Sequence, residues 1–480
     1  MVAHVPPTPP PNPVSDYRLG AGCFDEAIGA DRCPREPYEE VISALEGHDL
    51  GELSNRVQIE ADAIGLTFGR DRPIKVDPVP RVIAAAEWRA LEAGLMQRAR
   101  ALNAFLADAY GDQRIFKTGA LPRHLLESAA GYEPQMRGLL EDSSPAATII
   151  GFDLVRDASG KLRVLEDNLR MPSGASYALA LRSVVAPVLS ASVTPRHLDG
   201  YVMALGEALH GASSRRGGGT SIAIVSDGPE SGTWFEHRRL GAALGAPVLT
   251  PKQLESTRGR LFARLGRDRR QLDVIYRRLD LDRLSDRAGE LTPLGELLVP
   301  ALRSGRLRCV NAFGTGLADD KLAHAYVEQM IAFYLGEEPT VRSVPAFDLT
   351  DERAGGDAIE RLGELVVKPR DGFGGHGVTI MPRASEAQRR RVLGAVRRRP
   401  EHFVAQEVIP LSTHPTVCEG RLRPRHVDLR PFVISTRTGA FTMPGGLTRY
   451  APQAGEMIVN SSRGGGCKDT WVLAGGEDRR

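Results

Sequence analysis

The 480-residue chain reads as a mixed fold, part α+β and part α/β, divided into two or three domains with hydrophobic cores of their own. Three stretches predict this. Residues 151–177, GFDLVRDASGKLRVLEDNLRMPSGASY, set two short apolar runs around an Asp-Ala-Ser-Gly turn, the pattern of a β-hairpin. Residues 221–276 alternate apolar strands with a helical pattern, the rhythm of a small α/β sheet. Residues 365–381, LVVKPRDGFGGHGVTIM, are two apolar strands joined by a loop with four glycines.

Taken in order, residues 1–35 read as a disordered, proline-rich tail, because the six prolines between Pro6 and Pro13 favour extended polyproline over packed structure. Residues 36–212 form a helical region plus the hairpin. The pattern from Tyr38 to about Glu141 is mostly helical. Ile83, Ala86, Ala90, Leu95, Ala99 and Phe105 mark one long amphipathic helix, and residues 123–130 mark another. Ser176 is placed to cap a helix that starts near Tyr177, and helical patterning runs on to about His210. The run SSRRGGGT, residues 213–220, is a flexible linker and a boundary.

Residues 220–310 are the α/β unit: strands at 221–226, 246–249 and 272–276 with a helix at 235–244, a Rossmann-like arrangement. The first strand is followed by SDGPES and not by GxGxxG, which excludes a dinucleotide site. Residues 311–473 complete the fold. CVNAFGTG ends a strand, Asp319 and Asp320 begin a helix, and Leu322, Tyr326, Met330 and Phe333 form its apolar face. Lys321 lies in its first turn, where a cation opposes the helix dipole. FVAQEVI, residues 403–409, is a buried strand, and the arginine run at 389–399 is a solvated helix face.

The hairpin carries the clearest chemistry. Glu166 and Asn168 alternate onto one face, and Asp167 points the other way and is expected to be idle. An even register places Asp153 with them, diagonal to Glu166; a one-residue bulge at Gly160 would flip that parity. Two carboxylates and an amide oxygen are hard ligands that suit magnesium holding a nucleotide phosphate, and a hairpin with ordinary polar residues on its wet side is the alternative. The loop with Gly372, Gly374, Gly375 and Gly377 lets backbone N–H groups close over phosphates. It is not a Walker loop, since its glycines lead into a strand. Lys368, just before it, is in reach of a phosphate.

The net charge of +2, with both signs interspersed, excludes a dedicated nucleic-acid binder. The five cysteines are scattered without CxxC spacing, which argues against zinc or a disulfide framework and for a cytoplasmic location. No run of 18 apolar residues occurs, and the first residues lack the regions of a signal peptide, so no membrane partner is expected.

The segments VLEDNLRMPSGASY, NAFGTGLADDKLAHAYVEQMIAFYLGEEP, VVKPRDGFGGHGV and GGLTRYAPQAGEMIVNSSRGGGCKDTWVL together resemble the circularly permuted ATP-grasp family (type 2), related to glutathionylspermidine synthetase. The resemblance spans about residue 70 to Leu473. In ordinary ATP-grasp enzymes the acidic hairpin follows the glycine-rich loop; here it precedes it, as permutation implies, and the 220–310 unit falls where the pre-grasp domain would lie. The resemblance implies that Asp153, Glu166 and Asn168 hold magnesium, that Lys321 and Lys368 contact ATP, and that Gly372, Gly374, Gly375 and Gly377 form the phosphate lid. It further implies that Glu407 and Val408 meet adenine, that Arg449 faces the transferred phosphoryl group, and that Arg430 and Asn460 are its neighbours. Two departures stand out. Gly151 occupies a position where glutathionylspermidine synthetase has arginine, and Cys467 a position where serine is expected.

The implied activity is an ATP-dependent carboxylate–amine ligase working through an acyl phosphate on a small-molecule or peptide carboxylate and an amine. A phosphotransferase with the same ATP site, or a nucleotide-binding scaffold without turnover, are the alternatives.

Overall fold

The computed structural model describes residues 14–46, 48–69, 71–140, 144–214, 219–280, 283–286, 288–372, 375–459 and 464–475. A nine-stranded sheet gathers strands from both ends of the chain. Its path runs Ala440–Thr442, Phe432–Ser435, Ile149–Arg156, Arg421–Arg430, Leu447–Tyr450, Gly466–Val472 and Val76–Ile83. Leu162–Asn168 pairs with Ile149–Arg156, and Thr413–Cys418 pairs with Arg421–Arg430. Ile149–Arg156 is buried at every position, which is why it reads as a nearly continuous apolar run.

Val76–Ile83 lies inside the stretch read as mostly helical, and the structure corrects that reading. Pro78 and Pro80 hid it. Proline cannot donate to a ladder and survives in sheets at edges, and this strand ends the sheet's path, parallel to Gly466–Val472. The long helix follows as expected, Ala85–Tyr110, and buries Trp88, Leu95, Leu102 and Phe105 in the main core. The helix expected over 123–130 contracts to His124–Glu127.

Residues 14–35, expected to be disordered, are packed. Tyr17, Ala27 and Ile28 are buried in the same cluster as Trp471. Asp25 accepts from the Tyr17 hydroxyl at 2.6 Å and from Thr413 Oγ1 at 2.9 Å, and Glu26 takes both arms of Arg81 at 2.7 and 2.6 Å. Arg81 and Thr413 are remote in sequence, so composition alone carried no signal of them. Residues 1–13 lie outside the described residues.

The middle unit is a four-stranded parallel sheet in the order Arg308–Val310, Val274–Arg278, Ile222–Ser226, Val248–Leu249. Trp234–Leu244 and Pro293–Arg303 are its helices, and a three-stranded antiparallel sheet within residues 254–272 was not foreseen. A smaller antiparallel sheet joins Ala346–Asp348, Phe403–Gln406, Val366–Pro369 and Thr379–Ile380. It has a core of its own, with Leu349, Leu362, Leu365, Val367, Met381 and Val396. Among the described residues no helix is long and apolar enough to cross a membrane.

Candidate active site

In the acidic hairpin Gly151 lies opposite Asn168, Phe152 opposite Asp167 and Asp153 opposite Glu166; the register then shifts, so that Leu154 faces Val164. The extra residue is Leu165, beside Glu166, and not Gly160. Directly opposed residues share a face. Asp153 and Glu166 therefore stand side by side, where a diagonal relation was expected, and Asn168 is on the same face two residues on.

Asp167 faces the other way, as alternation requires, but it is not idle. Its carboxylate takes both arms of Arg98, at 2.5 and 2.8 Å, and His324 Nδ1 at 2.6 Å, all in the interior. Burial opposes ionisation, yet Arg98 and His324 hold the carboxyl well below the usual aspartate range. This buried ion pair anchors the back of the strand whose front carries Glu166 and Asn168.

The front of the hairpin lines a cleft of about 190 Å3 together with Lys368, Gly372, Gly375 and Glu407. One wall is apolar, with Val155, Leu165, Val344, Val366, Ile409 and Leu411. Gln406, Glu407 and Ile409 line it and Val408 does not, and the Glu407 carboxylate is already engaged by Arg361. The Glu407 backbone N–H is also taken, by Pro345 O at 2.9 Å. Gly377 turns at φ +75°, with Pro369 Cγ only 2.6 Å from where a Cβ would sit, so glycine is required there. Gly374 and Asn460 lie outside the described residues.

Lys321 joins the two parts of the site. Its ammonium pairs with Glu166 Oε1 at 2.8 Å and donates to the Gly372 carbonyl. Asp320 caps the same short helix, accepting from Leu322 N at 2.9 Å, and takes both arms of Arg370 at 3.0 and 2.8 Å. Lys368 differs. It is buried, its ammonium has no hydrogen-bond partner among the described residues, and burial pulls it down to about 8.

Arg430 and Arg449 converge on Asp153. Arg430 reaches it at 2.5 and 2.7 Å, and Arg449 at 3.0 Å while also gripping Asp428 at 2.9 and 2.5 Å. Burial opposes ionisation of Asp153, but the two arginines hold it well below the carboxylate range. A Cβ at Gly151 would lie 3.3 Å from Arg430 Cδ, so the glycine leaves room for the Arg430 stem to cross the sheet. Among the described residues no cluster of three or more His, Cys, Asp or Glu is arranged to hold a metal. The oxygen donors of Glu166 and Asn168, which line the cleft, are of the hard type a magnesium ion takes; Glu166 is paired with Lys321, Asn168 Oδ1 accepts from Arg430 at 3.4 Å, and Asp153 is shared between the arginines.

A second cavity, of about 450 Å3, meets the cleft: Asn168, Asp319, Arg430 and Arg449 line both. Its remaining wall comes from Phe68, Ile74 and Tyr177 and, in the middle unit, from Thr233, His237 and Arg278. Cys467 is on this wall as well. Arg278 and Glu236 tie the middle unit to the loop after the hairpin. Glu236 Oε1 accepts from Arg278 at 2.8 Å, and its Oε2 accepts from Gly174 N and Ser176 N at 2.9 and 3.0 Å. Glu236, and not Ser176, therefore caps the helix Ala175–Leu189.

Asp319 was passed over as a helix-start residue. One carboxylate oxygen accepts from Leu169 N at 2.6 Å and Arg170 N at 2.9 Å; the other has no hydrogen-bond partner among the described residues. An acidic pair directly before a lysine was the only signal in the sequence.

The model of the circularly permuted ATP-grasp type 2 family matches residues 80–451. An uncharacterized protein of Mycobacterium tuberculosis is 39% identical over 472 residues, covering 95% of this chain and 84% of that one. An uncharacterized protein of Synechocystis is 38% identical over 469 residues, covering 94% and 97%. A Frankia casuarinae protein named "Putative glutamate--cysteine ligase 2-2" is 38% identical over 463 residues, covering 94% of this chain and 53% of that relative, so the chain spans about half its length. With the hairpin, the glycine-rich loop and both arginines inside the matched span, the chain belongs to the circularly permuted ATP-grasp type 2 family.

Proposed function

We propose that the protein is an ATP-dependent ligase that joins a carboxylate to an amine through an acyl phosphate. The observation that carries this reading is the meeting of two cavities at Asn168, Asp319, Arg430 and Arg449. Group transfer needs a donor cleft and an acceptor space that share one wall, with cations at the junction. The family and the ligase-named Frankia relative, over the part it shares with this chain, support the same reading.

In this scheme the apolar wall takes the adenine, and Lys368 with the backbone of Gly372 and Gly375 takes the phosphates. Magnesium, held by Glu166 and Asn168, would supply charge neutralisation at the phosphates. Arg430 and Arg449 orient the substrate carboxylate toward the terminal phosphate and offset the charge that builds there. The carboxylate oxygen displaces ADP, and an amine then displaces phosphate. The parallel sheet of the middle unit is read as a Rossmann-like pre-grasp domain, and the relation to glutathionylspermidine synthetase as a shared ancestry of the nucleotide site.

The test is ADP release with MgATP against amino acids, short peptides and polyamines, with mass detection of products. ADP, free phosphate and a new amide are expected. A phosphorylated acceptor formed without any amine would make the protein a phosphotransferase, and ATP binding without turnover would make it a scaffold.

A further inference from the structure

From the Asp319 geometry we infer that the second cavity is the amine site and that Asp319 is the base that takes the proton from the attacking nitrogen. This rests on the ligase reading and adds a catalytic residue and a substrate class to it. Three observations lead there. Asp319 lines both cavities and so stands where a nitrogen from one would meet an acyl phosphate formed in the other. Its Oδ1 is fixed by the Leu169 and Arg170 amides, at 2.6 and 2.9 Å, which orients the group without occupying Oδ2. Of the other carboxylates lining the cleft, Asp153 and Asp428 are engaged by arginine, Glu166 by Lys321 and Glu407 by Arg361, and Asp280 lines only the second cavity.

A base must also have affinity for the proton it takes. Burial raises the Asp319 carboxyl above the usual aspartate range, while Arg170 and the two amides oppose the rise. The cavity wall selects the class of amine. Phe68, Ile74 and Tyr177 offer apolar surface, and Thr233 a polar one; the Arg278 guanidinium is buried and spent on Glu236, His237 and the Pro172 carbonyl. An amine carried on an apolar body, such as an amino acid or short peptide with an apolar side chain, matches this wall with its nitrogen toward Asp319.

The step balances. The nitrogen lone pair forms a bond to the acyl carbon, the carbon–oxygen bond to phosphate breaks with its electron pair leaving on phosphate, and the N–H proton passes to Asp319 Oδ2. Hydroxylamine attacks acyl phosphates without a base, because its nitrogen is unprotonated near neutral pH, and so bypasses this step.

The test compares wild type with Asp319→Asn, which keeps an oxygen for the two amides and replaces only the free one. MgATP is supplied with the pooled protein amino acids and their dipeptides, with and without hydroxylamine. Wild type is expected to form amide, and hydroxamate when hydroxylamine is present. Asp319→Asn is expected to lose amide formation by ~100-fold or more while hydroxamate formation stays within about twofold. Hydroxamate formation is also the control that the variant is folded and still activates a carboxylate. Equal amide formation by the two proteins would overturn the role of Asp319, and parallel loss of amide and hydroxamate would assign it to binding or folding instead. Absence of hydroxamate from wild type would overturn the ligase reading, and this inference with it.

Discussion

Burial pulls the Lys368 ammonium down to about 8, Lys321 adds to the shift, and Glu166 and Asp153 oppose it. The side chain is buried, so its charge has a cost in the nucleotide-free protein. An unfolded lysine titrates near 10.4. Between about 8 and 10.4 the unfolded chain therefore binds the extra proton, and stability of the nucleotide-free protein rises with pH there; below about 8 the cost is fully present. A bound phosphate reverses the sign, because it raises the lysine's affinity for its proton. ATP affinity is expected to be highest below about pH 8 and to fall as pH rises through that value, with proton uptake on binding. Calorimetry in buffers of different ionisation enthalpy reads the uptake, and Lys368→Met should abolish both the uptake and the pH slope without loss of stability at pH 7. Glu166 gives a second prediction. Glu166→Gln should still bind ATP but turn over ~100-fold more slowly, since Glu166 would hold the magnesium ion that offsets charge at the phosphoryl group in flight. Nucleotide affinity and ADP formation, measured on one preparation, separate the two effects.

At the scale of elements, the hairpin has two working faces with different tasks. Asp167→Asn removes the charge that holds Arg98 and His324 behind the strand, and breaking a buried pair of this kind costs about 3 kcal/mol or more. The variant should unfold at clearly lower urea, whereas Glu166→Gln should not. Because the Asp167 carboxyl is depressed in the fold, its contribution is present above the unfolded value near 3.9 and is lost as pH falls toward the folded value. Local pattern made the hairpin, the long helix Ala85–Tyr110 and the glycine-rich loop legible, because each shows its period or its turn within a dozen residues. The family resemblance, and not local pattern, implied one site for Asp153, Glu166, Asn168, Lys368, Arg430 and Arg449, and all six line the cleft. What was illegible depended on distant partners. The strand Val76–Ile83 is defined by its neighbour Gly466–Val472 and not by its own proline-interrupted pattern. The packing of residues 14–35 depends on Arg81 and Thr413. Asp319 owes its position to the Leu169 and Arg170 amides, 150 and 149 residues away.

For the whole molecule the decisive feature is that the cleft is assembled from two sheets, the smaller of which has an apolar cluster of its own and touches the main core through Val404 and Ala346. The hairpin and the arginine strands belong to the nine-stranded sheet, while Lys368 and the glycine-rich loop belong to the smaller sheet with its own apolar cluster. Prominent links between the two are polar: Lys321 to Gly372, Arg370 to Asp320 at 2.8 Å, His124 to Asp348 at 2.6 Å. Polar links exchange readily with water and contribute little net free energy compared with a shared apolar core. The smaller unit should therefore open at a lower temperature than the main sheet in the nucleotide-free protein. A nucleotide that touches both parts binds only when they are together, and at about 100 times its dissociation constant it adds about 2.7 kcal/mol to the closed arrangement. Scanning calorimetry is expected to show two transitions without nucleotide and one with MgATP. Lys368→Met, which leaves both cores intact, should keep two transitions in the presence of MgATP at the concentration that merges them in wild type. A single transition in nucleotide-free wild type would show that the polar links couple the two sheets as tightly as a common core would.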